Sequence, residues 1–208
     1  MSGHMKRSMA SQEYQGEVAS PAKAKRPHKG LREAMKDEEV QVHVDDLCVA
    51  ILDKYPKARH HFLVLPREDI PGLHDLTAAH VGLLRHLESV GYSIIEKRGL
   101  DKGDFRLGYH AIPSMIQLHL HVISQDFVSP RLETQRHWNS FTTDFFVESF
   151  KFIDDIAKNG KFTLLNREQA MDLLSTELRC HKCNFEPSNI PDLKQHLERN
   201  IHEFTEGE

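Results

Sequence analysis

Gln117-Leu118-His119-Leu120-His121-Val122-Ile123 is the stretch on which both fold and chemistry turn. Polar and apolar residues alternate through it, the period-two signature of a strand with one face in a core. Leu118, Leu120 and Val122 then point one way and Gln117, His119 and His121 the other, so two imidazoles share one wall of a cleft.

Working outward, residues 40–44, 47–52, 61–65 and 105–110 are further short β-rich runs. The turn-like Asp53-Lys54-Tyr55-Pro56 opens the link between the second and third, which makes an antiparallel meander. Between residues 77 and 97 the period changes. Val81, Leu84, Leu87, Val90, Ile94 and Ile95 fall on one helical stripe, with Thr77 as N-cap and Gly99 just past the end. A sheet covered by a long amphipathic helix is an α+β layering. Residues 141–157 and 167–174 are expected to be helices as well.

Neutral imidazole attacks phosphorus readily at physiological pH, because its ordinary pKa near 6.5 leaves a lone pair free, and it departs again easily. A metal site competes with this reading, although zinc needs ligands that the strand itself does not supply. A merely structural pair on a half-exposed strand is the third possibility.

A second constellation, Cys180-x2-Cys183-x12-His196-x5-His202, falls within the spacing of a Cys2His2 zinc finger. The stretch between the second cysteine and residue 200 has too few apolar residues to fold without such a staple. Structural zinc on Cys180, Cys183, His196 and His202 is therefore expected, with His181 and Glu203 as weaker candidates for the fourth place.

The 208 residues suffice for one domain-sized core and a small satellite. No apolar run approaches the roughly 20 residues of a membrane helix. Three cysteines and no apolar secretory core point to a reducing compartment. Net charge is −4, which argues against coating nucleic acid by bulk electrostatics. Residues 1–36, however, hold eight Lys/Arg against three Glu, a local +5 before a body of −9. A basic leader of this kind suits a nucleic-acid arm, a nuclear-import signal near residues 22–28, or a merely solvated tail. Met1–Met5 reads as a cloning remnant. The expected division is a disordered leader over 1–29, a main domain bearing the two-histidine strand over 30–160, and a linker helix with zinc finger over 161–208.

The central strand resembles the histidine-triad signature, and Phe62-Leu63-Val64-Leu65-Pro66 resembles that superfamily's preceding strand. More narrowly, Asp53-Lys-Tyr-Pro-Lys-Ala-Arg59, Phe105-Arg-Leu-Gly-Tyr-His-Ala-Ile-Pro-Ser-Met115, His121-Val-Ile-Ser-Gln-Asp-Phe127 and His137-Trp-Asn-Ser-Phe141 are similar to the aprataxin family, from about residue 30 to 202. The resemblance implies a histidine-triad fold and a hydrolase of 5′-adenylated DNA ends that releases AMP in strand-break repair. By that likeness His119 is the nucleophile, His121 and Ser114 hold phosphate oxygens, and His61 assists the leaving phosphate. Leu52, Asp53, Lys57, Met115 and Gln117 match nucleotide-binding positions. Arg67, His110, Ser129, Arg136, Lys194 and Arg199 become candidate DNA contacts. Leu31–Met35 matches a short helix set against a terminal base pair, with packing on the sheet the alternative. The likeness further implies no catalytic metal, a monomer and a nuclear location. A general hydrolase of dinucleotide polyphosphates or phosphoramidates, or a DNA-end-binding protein with a silenced site, are the other readings. One departure stands inside the signature. Position 117 is glutamine where the family has its first histidine, and glutamine carries no imidazolium charge.

Overall fold

The computed structural model describes residues 30–200. The expected leader over 1–29, and the candidate zinc ligands His202 and Glu203, lie outside the described residues.

Six strands form one antiparallel sheet: β1 (Gln41–Val44), β2 (Cys48–Leu52), β3 (His61–Pro66), β4 (Phe105–His110), β5 (Leu120–Ser124) and β6 (Phe146–Glu148), in spatial order β1-β2-β3-β5-β4-β6. The first three strands make the expected meander, and β5 enters between β3 and β4. Helix α2 (Val81–Lys97) is the long amphipathic helix, with Leu84, Leu87, Val90, Ile94 and Ile95 buried. Together with α4 (Ser149–Asn159) it covers one sheet face, where Phe62, Val64, Leu107, Leu120 and Val122 join the same core. Burying side chains of this size supplies most of the folding free energy, at about 1.5–3 kcal/mol each.

The opposite face carries two separate coverings. At one end the short α1 (Leu31–Ala34) puts Leu31 against Val49, Ile51, Leu63 and Leu65. Sheet packing therefore holds Leu31. At the other end α3 (Gln135–Thr142) supplies Trp138 and Phe141 to a core with Ile123, Phe127 and Phe146. Leu178, Cys180, Leu193 and Leu197 enter that same core from α6 (Ile190–Asn200) and the segment before it, so the finger region packs on the sheet. Trp138 Nε1–H donates to the Arg179 carbonyl at 3.0 Å, and the Asn139 amide donates to the Leu174 and Thr176 carbonyls, tying down the chain after α5 (Arg167–Ser175).

Two expected elements are corrected. The helix over 141–157 breaks after Thr142, because Phe146 and Val147 pair with β4 as an edge strand before α4 begins. Aromatic and β-branched residues gain more on a half-buried pleat there than in a helix. The central strand begins at Leu120 rather than at 117, since Gln117 has φ 88° and turns the chain.

Candidate active site

His119 and His121 stand on the face between the two coverings, as the alternation requires. His61 on β3 and His110 on β4 project from the neighbouring strands onto the same face, with Leu63 opposite His121 and Gly108 opposite it on the other side. Their rings lie close: His110 to His121 at 4.4 Å between centroids, His119 to His121 at 4.9 Å and His61 to His121 at 5.2 Å. Phe141 closes the cluster, 4.7 Å from the His110 ring and 5.3 Å from that of His121.

The hydrogen bonds order the protons. His119 Nδ1 lies 2.8 Å from the Gln117 carbonyl, which can only accept, so Nδ1 carries the hydrogen and Nε2 keeps its lone pair. The Lys57 N–H donates to His61 Nδ1 at 3.2 Å, so His61 bears its hydrogen on Nε2 and donates it to His121 Nδ1 at 2.9 Å. His121 Nε2–H is then a buried donor with no acceptor among the described residues, and His110 Nε2 is likewise unpartnered. The His121 donor suits an anion entering from the cleft.

Burial pushes all four imidazoles below the ordinary 6.5: His61 to about 4, opposed by Asp53, and His110 to about 3, with His119 adding to the fall. His119 is lowered by desolvation against the Gln117 carbonyl and Asp53, and His121 falls well below the ordinary value. All are neutral at pH 7.

A cleft of about 600 Å³ opens onto this wall. Of the residues singled out from sequence, Asp53, Lys57, His61, His110, Ser114, Met115, His119, His121 and Arg136 line it. Asp53 serves its turn as well: Oδ1 accepts the Tyr55 N–H at 2.7 Å while Oδ2 lies 3.6 Å from His61 Nδ1. Others stand elsewhere. The Leu52 side chain is exposed beside the cleft mouth's Asp53 and does not line it. Arg67 donates to the Asp45 carbonyl at the β1–β2 turn. Ser129 and Lys194 face a separate groove of about 280 Å³ between residues 127–130 and α6, and Arg199 is exposed on α6. The Gln117 side chain bonds to the Pro66 and Glu68 carbonyls instead of lining the main cleft.

Sequence reasoning gave no role to Tyr55, Ile112, His137, Ser140, Phe141, Phe145 and Leu174, which also line the cleft. The 137–141 likeness was the available signal for three of them. Leu174 arrives from α5, with no local pattern to announce it.

In the finger, the ligand atoms of Cys180, Cys183 and His196 lie within 4.8 Å of one another, with Cys183 Sγ 3.3 Å from His196 Nε2. Two thiols and an imidazole so placed fit a tetrahedral zinc site lacking one ligand. His181 does not join them, since its Nε2 lies 3.0 Å from the Gln125 carbonyl and its ring packs on Trp138.

Residues 30–137 match the family described as scavenger mRNA decapping enzyme C-terminal binding, and residues 142–203 match the C2HE/C2H2/C2HC zinc-binding finger. The aprataxin-like protein of Saccharomyces cerevisiae is 32% identical over 198 residues, covering 80% of this chain and 89% of that protein. The chain belongs to the aprataxin family. Aprataxin of Gallus gallus is 52% identical over 82% of the chain, and aprataxin of Danio rerio 50% over 83%. The chain spans about half the length of these two relatives, 54% and 53%. Among solved structures, the aprataxin ortholog Hnt3 in complex with DNA superposes with a TM-score of 0.65 at 27% identity, covering 84% of this chain and 92% of that one. The histidine-triad fold and finger expected of an aprataxin relative are thus present together.

Proposed function

We propose that the chain hydrolyses 5′-adenylated DNA ends, releasing AMP. The observation that carries this reading is the 2.8 Å bond from His119 Nδ1 to the Gln117 carbonyl, which leaves Nε2 as a nucleophile in a cleft walled by neutral imidazoles. Family membership, and a DNA complex of a relative, favour an adenylated DNA end over a free nucleotide.

The steps follow from the proton order. His119 Nε2 bonds to the adenylate phosphorus, and the bond from phosphorus to the bridging oxygen breaks, releasing the 5′-phosphorylated end. The cationic histidine–AMP is held by the Gln117 carbonyl on Nδ1–H. Water then bonds to phosphorus, the N–P bond breaks, and AMP departs with the proton passing to phosphate. His121 Nε2–H and Ser114 hold the non-bridging oxygens, and His61 relays its hydrogen bond to His121. Asp53 and Lys57 take the ribose side, with Met115 over the base. Arg136 and His110 contact DNA from within the cleft, while Ser129 and Lys194 hold phosphates in the second groove, with Arg199 beyond them. Zinc on Cys180, Cys183, His196 and a fourth ligand beyond residue 200 supplies structure only. A nuclear location accords with this substrate.

The test offers a nicked duplex bearing a 5′-adenylate and, in parallel, a free adenylated dinucleotide, to the chain and to His119→Ala. AMP release from the nick, lost in the variant, is the expected result. No release from either substrate sinks the enzyme reading and favours an end-binding protein. Preference for the dinucleotide demotes DNA in favour of a general histidine-triad hydrolase.

A further inference from the structure

Gln117 is 2% exposed, yet every polar group it owns is engaged. Its N–H donates to the Pro71 carbonyl at 3.2 Å, its carbonyl accepts from His119, and its side-chain amide donates to the Pro66 and Glu68 carbonyls at 3.0 and 2.9 Å. The remaining group, Oε1, accepts from Arg32 Nε at 3.1 Å, across 85 positions of sequence. The Arg32 guanidinium also pairs with Asp69. One residue thus joins α1, the 66–71 segment and the turn that presents His119.

Glutamine suits this place on chemical grounds. Its NH2 supplies two hydrogens for two carbonyls while its oxygen accepts from a cation, whereas a neutral imidazole offers one donor and one acceptor. The backbone at 117, with φ 88°, lies in a region that side chains other than glycine's rarely adopt, so something must hold it. That same backbone carbonyl fixes the His119 tautomer.

We propose that Gln117 is a positioning residue and that, with Arg32, it forms a latch through which the seating of α1 sets the aim of His119. The inference rests on the hydrolase reading above. It deepens that reading by making α1, anchored in the sheet through Leu31, part of the apparatus that orients the nucleophile. A misplacement near 1 Å costs roughly a hundredfold in rate, so even partial loosening of the latch registers in kcat.

The test compares Arg32→Ala, Gln117→Ala and the double variant for AMP release from the adenylated nick, alongside 15N NMR of the His119 ring. Each single variant is expected to lower kcat roughly ten- to hundredfold with little change in KM. The double variant should be no worse than the poorer single one, because the two act as a unit. The His119 Nδ1 and Nε2 signals should show a mixed tautomer or a displaced titration in each variant. Independent, additive losses, an effect on KM alone, or an unchanged His119 spectrum would overturn the latch. Arg32 is half-exposed, so Arg32→Ala keeps the question open to measurement should Gln117→Ala fail to fold. If the parent chain releases no AMP, the hydrolase reading falls, and the His119 spectrum still decides whether Arg32 and Gln117 position that ring.

Discussion

His61 Nε2 and His121 Nδ1 lie 2.9 Å apart between two buried side chains, joined as two neutral imidazoles in which one donates and the other accepts. This pairing survives only while neither ring carries a proton too many. Acid should therefore cost stability. The folded-state values lie below the ordinary 6.5, at about 4 for His61 and about 3 for His110. Above 6.5 both states are neutral. As pH falls below it, the unfolded chain takes up protons that the folded site refuses, and stability drains until pH passes the folded values. Thermal unfolding followed from pH 7 to 4 should show a falling midpoint, with a shallower fall in His61→Gln.

The rate should tell a complementary story. On the proposed function His119 attacks as a neutral imidazole, and burial lowers its pKa, so kcat/KM for AMP release should stay level through pH 6.5 and drop only in more acid solution. An acid limb at or above 6.5 would contradict the desolvated nucleophile.

Away from the cleft, Asp45 at the β1–β2 turn accepts from His43 Nε2 at 2.7 Å, His86 Nε2 at 2.8 Å and the Leu47 and Cys48 N–H groups at 2.8 Å. Desolvation raises its pKa, but these bonds, that from His43 foremost, more than offset it and hold the carboxyl well below the ordinary 3.8. Its contribution is present above that value and is lost as pH falls below it. Asp45→Ala should destabilise the chain by about 1–3 kcal/mol in urea titration at pH 7, freeing the hairpin from α2.

Gly108 is held to its size by the edge strand. A Cβ there would meet the Val147 carbonyl oxygen at 2.4 Å and the Phe146 ring at 2.6 Å. Gly108→Ala should displace β6 and cost about 1–3 kcal/mol, read as a lowered unfolding midpoint.

Metal removal should loosen the finger. One zinc per chain is expected by elemental analysis, with Cys183→Ser sharply reducing it. Strong chelation should raise amide exchange over residues 178–197, and unchanged protection there would argue against a structural ion.

The fold was largely legible because period-two alternation and one helical stripe are local signals. The positions of His119 and His121 on a common face followed from the same alternation. His61 could be joined to them only through family likeness, since no local rule pairs β3 with β5 across 60 residues. Edge strand β6 escaped because Phe141, Phe145, Phe152, Ile153 and Ile156 keep helical spacing straight through it, and only the vacant edge of β4 decides for a strand. The Gln117 turn escaped for a related reason: its positive φ is held by Arg32 and the 66–71 segment, which are remote in sequence. Leu52 adjoins Asp53, which lines the cleft, yet strand alternation carries its side chain elsewhere, and Arg67 turns to the Asp45 carbonyl instead.

Phe141 belongs at once to the core shared with Leu193 and Leu197 of the finger and to the ring cluster around His110 and His121. The finger thus braces one wall of the cleft from behind, through Phe141, although none of its own residues lines the cleft. On the proposed function, a chain starved of zinc would turn over slowly even on a substrate too small to reach the finger. Metal supply would then act as a throttle on chemistry rather than on binding alone.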